Sequence, residues 1–300
     1  MIDPISRLRA PRRIAAAAAC AVAFLCAPSG AAASPILLAE LASFTVLGAA
    51  AVTSTGSTTL GANLGVSNNA AITGITGFFG TLANDGPGTF TGTAHQGDAF
   101  AILADSQLVD AMTTLSLMGP GTLLSADLIG LVLPPGVYTV PAAVSNLTGA
   151  LTLDGEGDSN AFWVFQMAST LITSPGASVG LINVGSGAGA GLFWNVRSSA
   201  TLDTGTTFAG NILASTSITM NDSVTIDCGR ALAHTGSVTM INDTLSGTCL
   251  DLGTLGSDSL NGGGQDFPAP VPEPATLAMF GTGLIGLASA ARRRFKARKG

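Results

Sequence analysis

Between Ser34 and Val271 the chain has no lysine and only two arginines, Arg197 and Arg230. Two cations cannot neutralise a phosphate backbone, so nucleic acid is excluded as a partner. Two arginines against 16 Asp and Glu leave this segment at −14, which the −6 of the whole 300-residue chain hides because the other basic residues lie at its ends. Charged residues are 10% and hydrophobic ones 47%, which is too little charge and too much apolar content for a disordered chain. Long apolar runs are missing except near each terminus, which excludes a polytopic membrane protein. Glycine is plentiful, 39 residues, but follows no strict triplet, so collagen is excluded as well.

Histidine is nearly absent. His95 and His234 are far apart in sequence, and neither a catalytic triad nor a metal centre is expected from them. Gly176-Ala177-Ser178-Val179-Gly180 matches G-x-S-x-G but lies among strand and turn signals, with no helix to form a nucleophile elbow. Gly281 to Gly286 matches G-x-G-x-x-G inside an apolar run, with no βαβ unit around it. Asp154, Glu156 and Asp158 have the spacing that opens a calcium loop, but Ser159 and Phe165 stand where such a loop needs Gly and Glu. The expectation is no enzyme, no cofactor and no metal.

The ends read as addresses. Residues 1–33 have a basic start, an apolar run over 14–27 and Ala31-Ala32-Ala33 before Ser34, as in a cleaved secretory signal. Cys20 and Cys26 leave with it. Cys228 and Cys249 remain, an even pair in an oxidising compartment and a plausible disulfide. At the other end, Pro272-Glu273-Pro274, an uncharged apolar stretch over 275–291 and Arg292-Arg293-Arg294 follow in order. This order resembles the PEP-CTERM sorting signal of Gram-negative bacteria. The resemblance implies a transient inner-membrane intermediate, processing by an exosortase-type enzyme, and delivery to the cell surface or beyond. Residues 251–270, rich in Gly, Ser, Asp and Pro, read as a linker.

The body repeats. Ser199-Ala200-Thr201-Leu202 returns as Ser217-Ile218-Thr219-Met220 and Ser237-Val238-Thr239-Met240. Thr207-Phe208, Thr225-Ile226 and Thr244-Leu245 form a second series, and Thr55-Gly56-Ser57-Thr58 returns as Thr73-Gly74-Ile75-Thr76. A period of about 18–20 fits one turn of a parallel β-helix with three short faces. The Val, Ile, Leu and Phe partners then point inward and the Thr outward. The apolar spacing over 97–118 predicts one amphipathic helix lying along the solenoid, with Leu103, Leu108 and Leu115 buried. The predicted fold is mostly β: a right-handed parallel β-helix over 34–250 with one flanking α-helix, plus an apolar targeting helix at each terminus.

The segments 42–48, 61–67, 133–138, 151–154, 162–166, 192–196, 210–219 and 229–233 together resemble the bacterial and fungal ice-binding proteins built on such a β-helix. That resemblance implies an exported antifreeze or ice-adhesion protein with ice as its partner. The family's T-[AG]-x-[TN] pattern points to Thr55, Thr58, Thr73, Thr76, Thr204 and Thr207, extended by Thr225 and Thr244, as the ice face. Thr201, Thr219 and Thr239 form a competing column. Asn221-Asp222-Ser223-Val224 departs from the pattern and brings a charge beside the face. The alternative is a matrix adhesin binding extracellular polysaccharide in a groove lined by Trp163, Trp194 or Tyr138.

Overall fold

Runs of two to six residues in which β-branched residues alternate with other apolar ones form the strands. Ile218–Met220 shows the rule: Ile218 and Met220 are buried and Thr219 faces out. The computed structural model describes residues 35–68, 74–185 and 190–247. Within them the strands wind into coils of three faces, and like faces of successive coils pair in parallel.

Sheet A has nine strands. In spatial order they are Ala94–Gln96, Asn63–Val66, Phe44–Gly48, Ala231–Ala233, Asn211–Ala214, Gly191–Val196, Phe162–Met167, Gly136–Val140 and Thr122–Leu123. Sheet B has seven: Val144–Leu147, Thr170–Thr173, Ala200–Leu202, Ile218–Met220, Val238–Ile241, Val52–Thr55 and Ile75–Thr76. Sheet C has eight, from Thr89–Phe90 through Thr59–Leu60, Thr244–Leu245, Thr225–Asp227, Thr207–Ala209, Ser178–Ile182 and Ala150–Asp154 to Val132–Leu133.

Spatial order is not chain order. The first coil lies between the last coil and the second: Val46 pairs with Ala231 on one side and Leu64 on the other. After the second coil the chain crosses to the far end of the solenoid and winds back until Ala231–Ala233 meets Phe44–Gly48. The repeat in the sequence carries no sign of this join, because neighbouring coils there share no local spacing.

The interior is packed with aromatics as well as aliphatics. Tyr138, Phe165, Trp194 and Phe208 stack in succession, with Phe165 and Trp194 ring centroids 4.2 Å apart. Trp163 Nε1 donates to Leu133 O at 3.1 Å, and Trp194 Nε1 donates to Ala209 O at 2.9 Å. Each buried indole therefore keeps its polar atom satisfied.

The crossing is made by α2, Ala99–Leu117, after a short α1, Ala39–Ala42. Asp98 caps α2 by accepting from Ala101 N at 2.9 Å. Ala101, Ala104, Leu108, Ala111 and Leu115 pack on Leu47, Val164, Phe193, Leu213 and Leu232, the outward residues of sheet A. Leu108 and Leu115 are fully buried, each contributing about 1.5–3 kcal/mol. Leu103 is 46% exposed, contrary to the expectation. The helix carries apolar residues all round, and the small Ala101, Ala104 and Ala111 set its contact face, which turns Leu103 outward.

Polar ties fix the helix further. Gln166 Nε2 donates to Leu115 O and Gly119 O at the helix end, and Asn195 Nδ2 donates to Met112 O at 3.1 Å. His234 Nδ1 lies 3.1 Å from Asp105 Oδ1, and His95 Nδ1 lies 2.7 Å from Asp98 Oδ2. Arg230 is buried and donates to Ala42 O and Asn211 Oδ1, joining α1 to sheet A. Burial pushes its guanidinium down to about 10, so it stays charged at neutral pH.

Candidate functional site

The α2 helix closes sheet A, which leaves sheets B and C as open faces. On sheet B, Thr201 pairs with Thr219, Thr219 with Thr239, Thr239 with Thr53, and Thr53 with Thr76. Five threonines thus stand in one column over about 19 Å, four intervals of ~4.8 Å. The hydroxyls of Thr53 and Thr239 lie 3.4 Å apart across the join, so the column runs through it without a step. A Ser rank beside the column holds the coils together. Ser217 N donates to Ser199 Oγ at 3.4 Å, and Ser237 N donates to Ser217 Oγ at 3.3 Å. Below Thr201 the column continues with Ile172, which is 36% exposed, and then Asn146. No strand of sheet B contains a charged residue.

Sheet C has a parallel column: Ser178, Thr207, Thr225, Thr244, Thr59 and Thr89 are in register. Its second outward rank is uneven. Asp227 stands two residues after Thr225, Gly180 two after Ser178, and Asp154 pairs with Ile182. A charge beside the threonines and a step from Gly to Ile break the surface.

The corner between B and C explains where the sequence-derived ice face goes. Thr55-Gly56-Ser57-Thr58 does not run along one strand; it turns from sheet B to sheet C, with Gly56 at φ +80 and its Cα against Asn242, whose Oδ1 a Cβ would meet at 2.0 Å. Thr55 is exposed at the end of its strand, while Thr58 is fully buried and accepts from Ser54 Oγ and Asp243 N. Thr204 is exposed at the same corner three coils away, and Thr207 is on sheet C. Thr76 belongs to the sheet B column, and Thr73 lies outside the described residues. The eight threonines therefore do not share a face. Thr207, Thr225 and Thr244 stand together on sheet C, and the competing trio Thr201, Thr219 and Thr239 is joined by Thr76 on sheet B. Sequence reasoning missed Thr53 and Thr59, which complete the two columns across the join.

Carboxylates and amides brace this corner. Asn221 Nδ2 donates to Asp203 Oδ1 at 2.9 Å, Asn242 Nδ2 to Asp222 Oδ1 at 2.7 Å, and Ser57 N to Asn242 Oδ1 at 2.9 Å. These bonds hold the Asp203 and Asp222 carboxyls below their usual range. Asp243 behaves oppositely. Burial pushes its carboxyl up to about 7, even though it accepts from Val224 N and Ile241 N. Its raised value means the fold binds the proton more tightly than the unfolded chain. Its stabilisation is full below the ordinary carboxylate range and is lost as pH rises through about 7. Melting temperature is expected to fall between pH 5 and 8, and Asp243→Asn is expected to flatten that slope. An unchanged slope in the variant, measured by circular dichroism melts, would refute the assignment.

Among the described residues no group of three His, Cys, Asp or Glu is placed to hold a metal. Both histidines face carboxylates of α2, His95 the N-cap Asp98 and His234 Asp105 within the helix. Ser178 starts a strand, and Asp154 accepts from Glu156 N and Asn183 Nδ2, so each look-alike motif is part of a turn or a ladder.

The fold and its open faces define a class: a β-solenoid whose uncovered sheets carry in-register columns of threonine hydroxyls and methyls. The chain belongs to the Ice-binding-like family, which matches residues 46–246. An ice-binding protein of Nostoc sp. (strain HG1) is 40% identical over 267 residues, covering 88% of this chain and 90% of the relative. The crystal structure of an ice-binding protein from an Antarctic biological consortium is 34% identical with a TM-score of 0.63, over 72% of this chain and 92% of that one. That of the Antarctic ascomycete Antarctomyces psychrotrophicus is 31% identical with a TM-score of 0.63, over 71% and 98%. A PEP-CTERM protein-sorting motif matches residues 270–294, which contain Pro272, Glu273 and Pro274. Both termini, including 1–33, the linker and the apolar stretch 275–291, lie outside the described residues.

Proposed function

We propose that this protein is exported and binds ice through the outer face of sheet B, without catalysis. The observation that carries the reading is the charge-free column Thr201, Thr219, Thr239, Thr53 and Thr76. Alternate residues along a strand lie ~6.6–6.8 Å apart and coils ~4.8 Å apart, a two-dimensional grid that can order water over many weak contacts. Methyls order the adjacent water while hydroxyls bond into it, and a grid locked by Ser and Asn ladders has little entropy left to lose on binding. The sheet C column, with Asp227 and Asp154 beside it, is the second choice. Thermal hysteresis and ice-recrystallisation assays on residues 34–270 test the reading; no activity in that folded fragment would sink it.

The adhesin alternative loses its groove. Trp163 and Trp194 are fully buried and Tyr138 is 5% exposed, so these aromatics line no saccharide site. The ends support export: removal of 1–33 before Ser34, passage through the inner membrane held by 275–291, and exosortase-type processing near Pro272-Glu273-Pro274. Cys228 is buried and disulfide-bonded, and Cys249 lies outside the described residues. We propose that the two pair with each other. Peptide mapping of the exported protein should find the 228–249 cross-link; free thiols at both positions would refute it.

A further inference from the structure

Sheet B is not uniform along its length. From Thr76 to Thr201 the central outward rank is threonine on every strand. The next strand sets Ile172 opposite Thr201, and the one beyond sets Asn146 opposite Ile172. The neighbouring rank changes over the same coils. Ser237, Ser217 and Ser199 are laddered through their hydroxyls, but Thr170 follows them and then Val144, which is 40% exposed. The coil itself lengthens there. From Ile172 to Thr201 the chain advances 29 residues, against 18 from Thr201 to Thr219 and 20 from Thr219 to Thr239. The longer strands Ser178–Ile182 and Gly191–Val196 take up part of the difference. The backbone pairing of sheet B thus continues past Thr201 while its outward chemistry does not.

Ile172 faces out between the buried Leu171 and Thr173, so the core does not require it. Isoleucine keeps the branched methyl of threonine but carries an ethyl where threonine carries its hydroxyl. It can touch an ordered water layer but cannot hydrogen-bond into it. At the other end the column stops only because Ile75–Thr76 is the last strand of the sheet.

We infer that Ile172 limits the ice-binding surface: the productive array runs from Thr76 to Thr201, and the longer coils beyond it support that array without contributing to ice contact. This rests on the reading of sheet B as the ice face.

The test compares Ile172→Thr, Ile172→Val, Asn146→Tyr and Thr219→Tyr with the unmodified protein over residues 34–270, each checked for folding by a circular dichroism melt. Ile172→Thr lengthens the column by one threonine and is expected to raise thermal hysteresis about twofold or more, as one added weak hydrogen bond would. Ile172→Val matches threonine in size without its hydroxyl and is expected to change nothing. Asn146→Tyr stands two strands outside the array and is expected to retain activity, whereas Thr219→Tyr loses it. No gain with Ile172→Thr, an equal gain with Ile172→Val, or a loss with Asn146→Tyr as large as that with Thr219→Tyr would each overturn the inference. Should Ile172→Thr fail to fold, the Asn146→Tyr result decides alone. Full activity in Thr219→Tyr would instead overturn the ice-face reading, and this inference with it.

Discussion

Thr219→Tyr is expected to lower thermal hysteresis by about tenfold or more, the factor that ~1.4 kcal/mol of lost contact energy produces, with the melting temperature nearly unchanged. Thr219 is the second residue of the sheet B column, flanked by Thr201 and Thr239. Its side chain faces out while Ile218 and Met220 fill the interior, so the tyrosine displaces nothing in the core. The ring instead stands above the plane and lifts the neighbouring threonines from the ice lattice, which costs far more than the contact of one methyl group. Thr207→Tyr, on sheet C, is the matched control and should retain activity. The opposite result, loss with Thr207→Tyr alone, would move the ice face to sheet C. Full activity in both would remove the two columns from consideration.

The largest effect on stability is expected from Trp194→Ala, a loss of about 3–5 kcal/mol. Trp194 is fully buried between Phe165 and Phe208, and its indole satisfies the Ala209 carbonyl. Deletion leaves a cavity on the solenoid axis and an orphaned acceptor. For a body of about 200 residues that corresponds to a fall in melting temperature of roughly 6–20 °C. A change of under a degree or two in a thermal melt would show that the stacked aromatics contribute little. Ice affinity per folded molecule should persist, because Trp194 is fully buried in the interior and is not part of the outward Thr column.

The solenoid was legible in the sequence because its signal is local. Ser-x-Thr-x recurs with apolar residues in the inward positions, and the helix over 97–118 has its own period. What was not legible depends on contacts far apart in the chain. Thr53 and Thr59 join the Thr columns only because the first coil docks on the last, and Thr58 looks like a surface residue until the corner turns it inward. The T-G-x-T pattern misled for a geometric reason: it spans a corner with Gly56 or Gly205 at positive φ, so its two threonines point to different sides. Leu103 was misplaced because a helix apolar all round does not declare its buried face; the alanines do. The raised carboxyl of Asp243 required knowing which acid a corner would bury.

The join between first and last coils also governs when the protein can become itself. Val46 meets Ala231 only after 185 further residues have been made. A partly synthesised chain holds a first coil with one neighbour missing and its apolar interior open at that side. Assembly therefore cannot advance steadily from the first residues; it waits for Ala231–Ala233 to arrive, a long-range closure of the kind that slows folding. Under the export proposed above, delay would be useful to a chain that crosses a membrane unfolded, because the thread would not lock before its far end had followed it through.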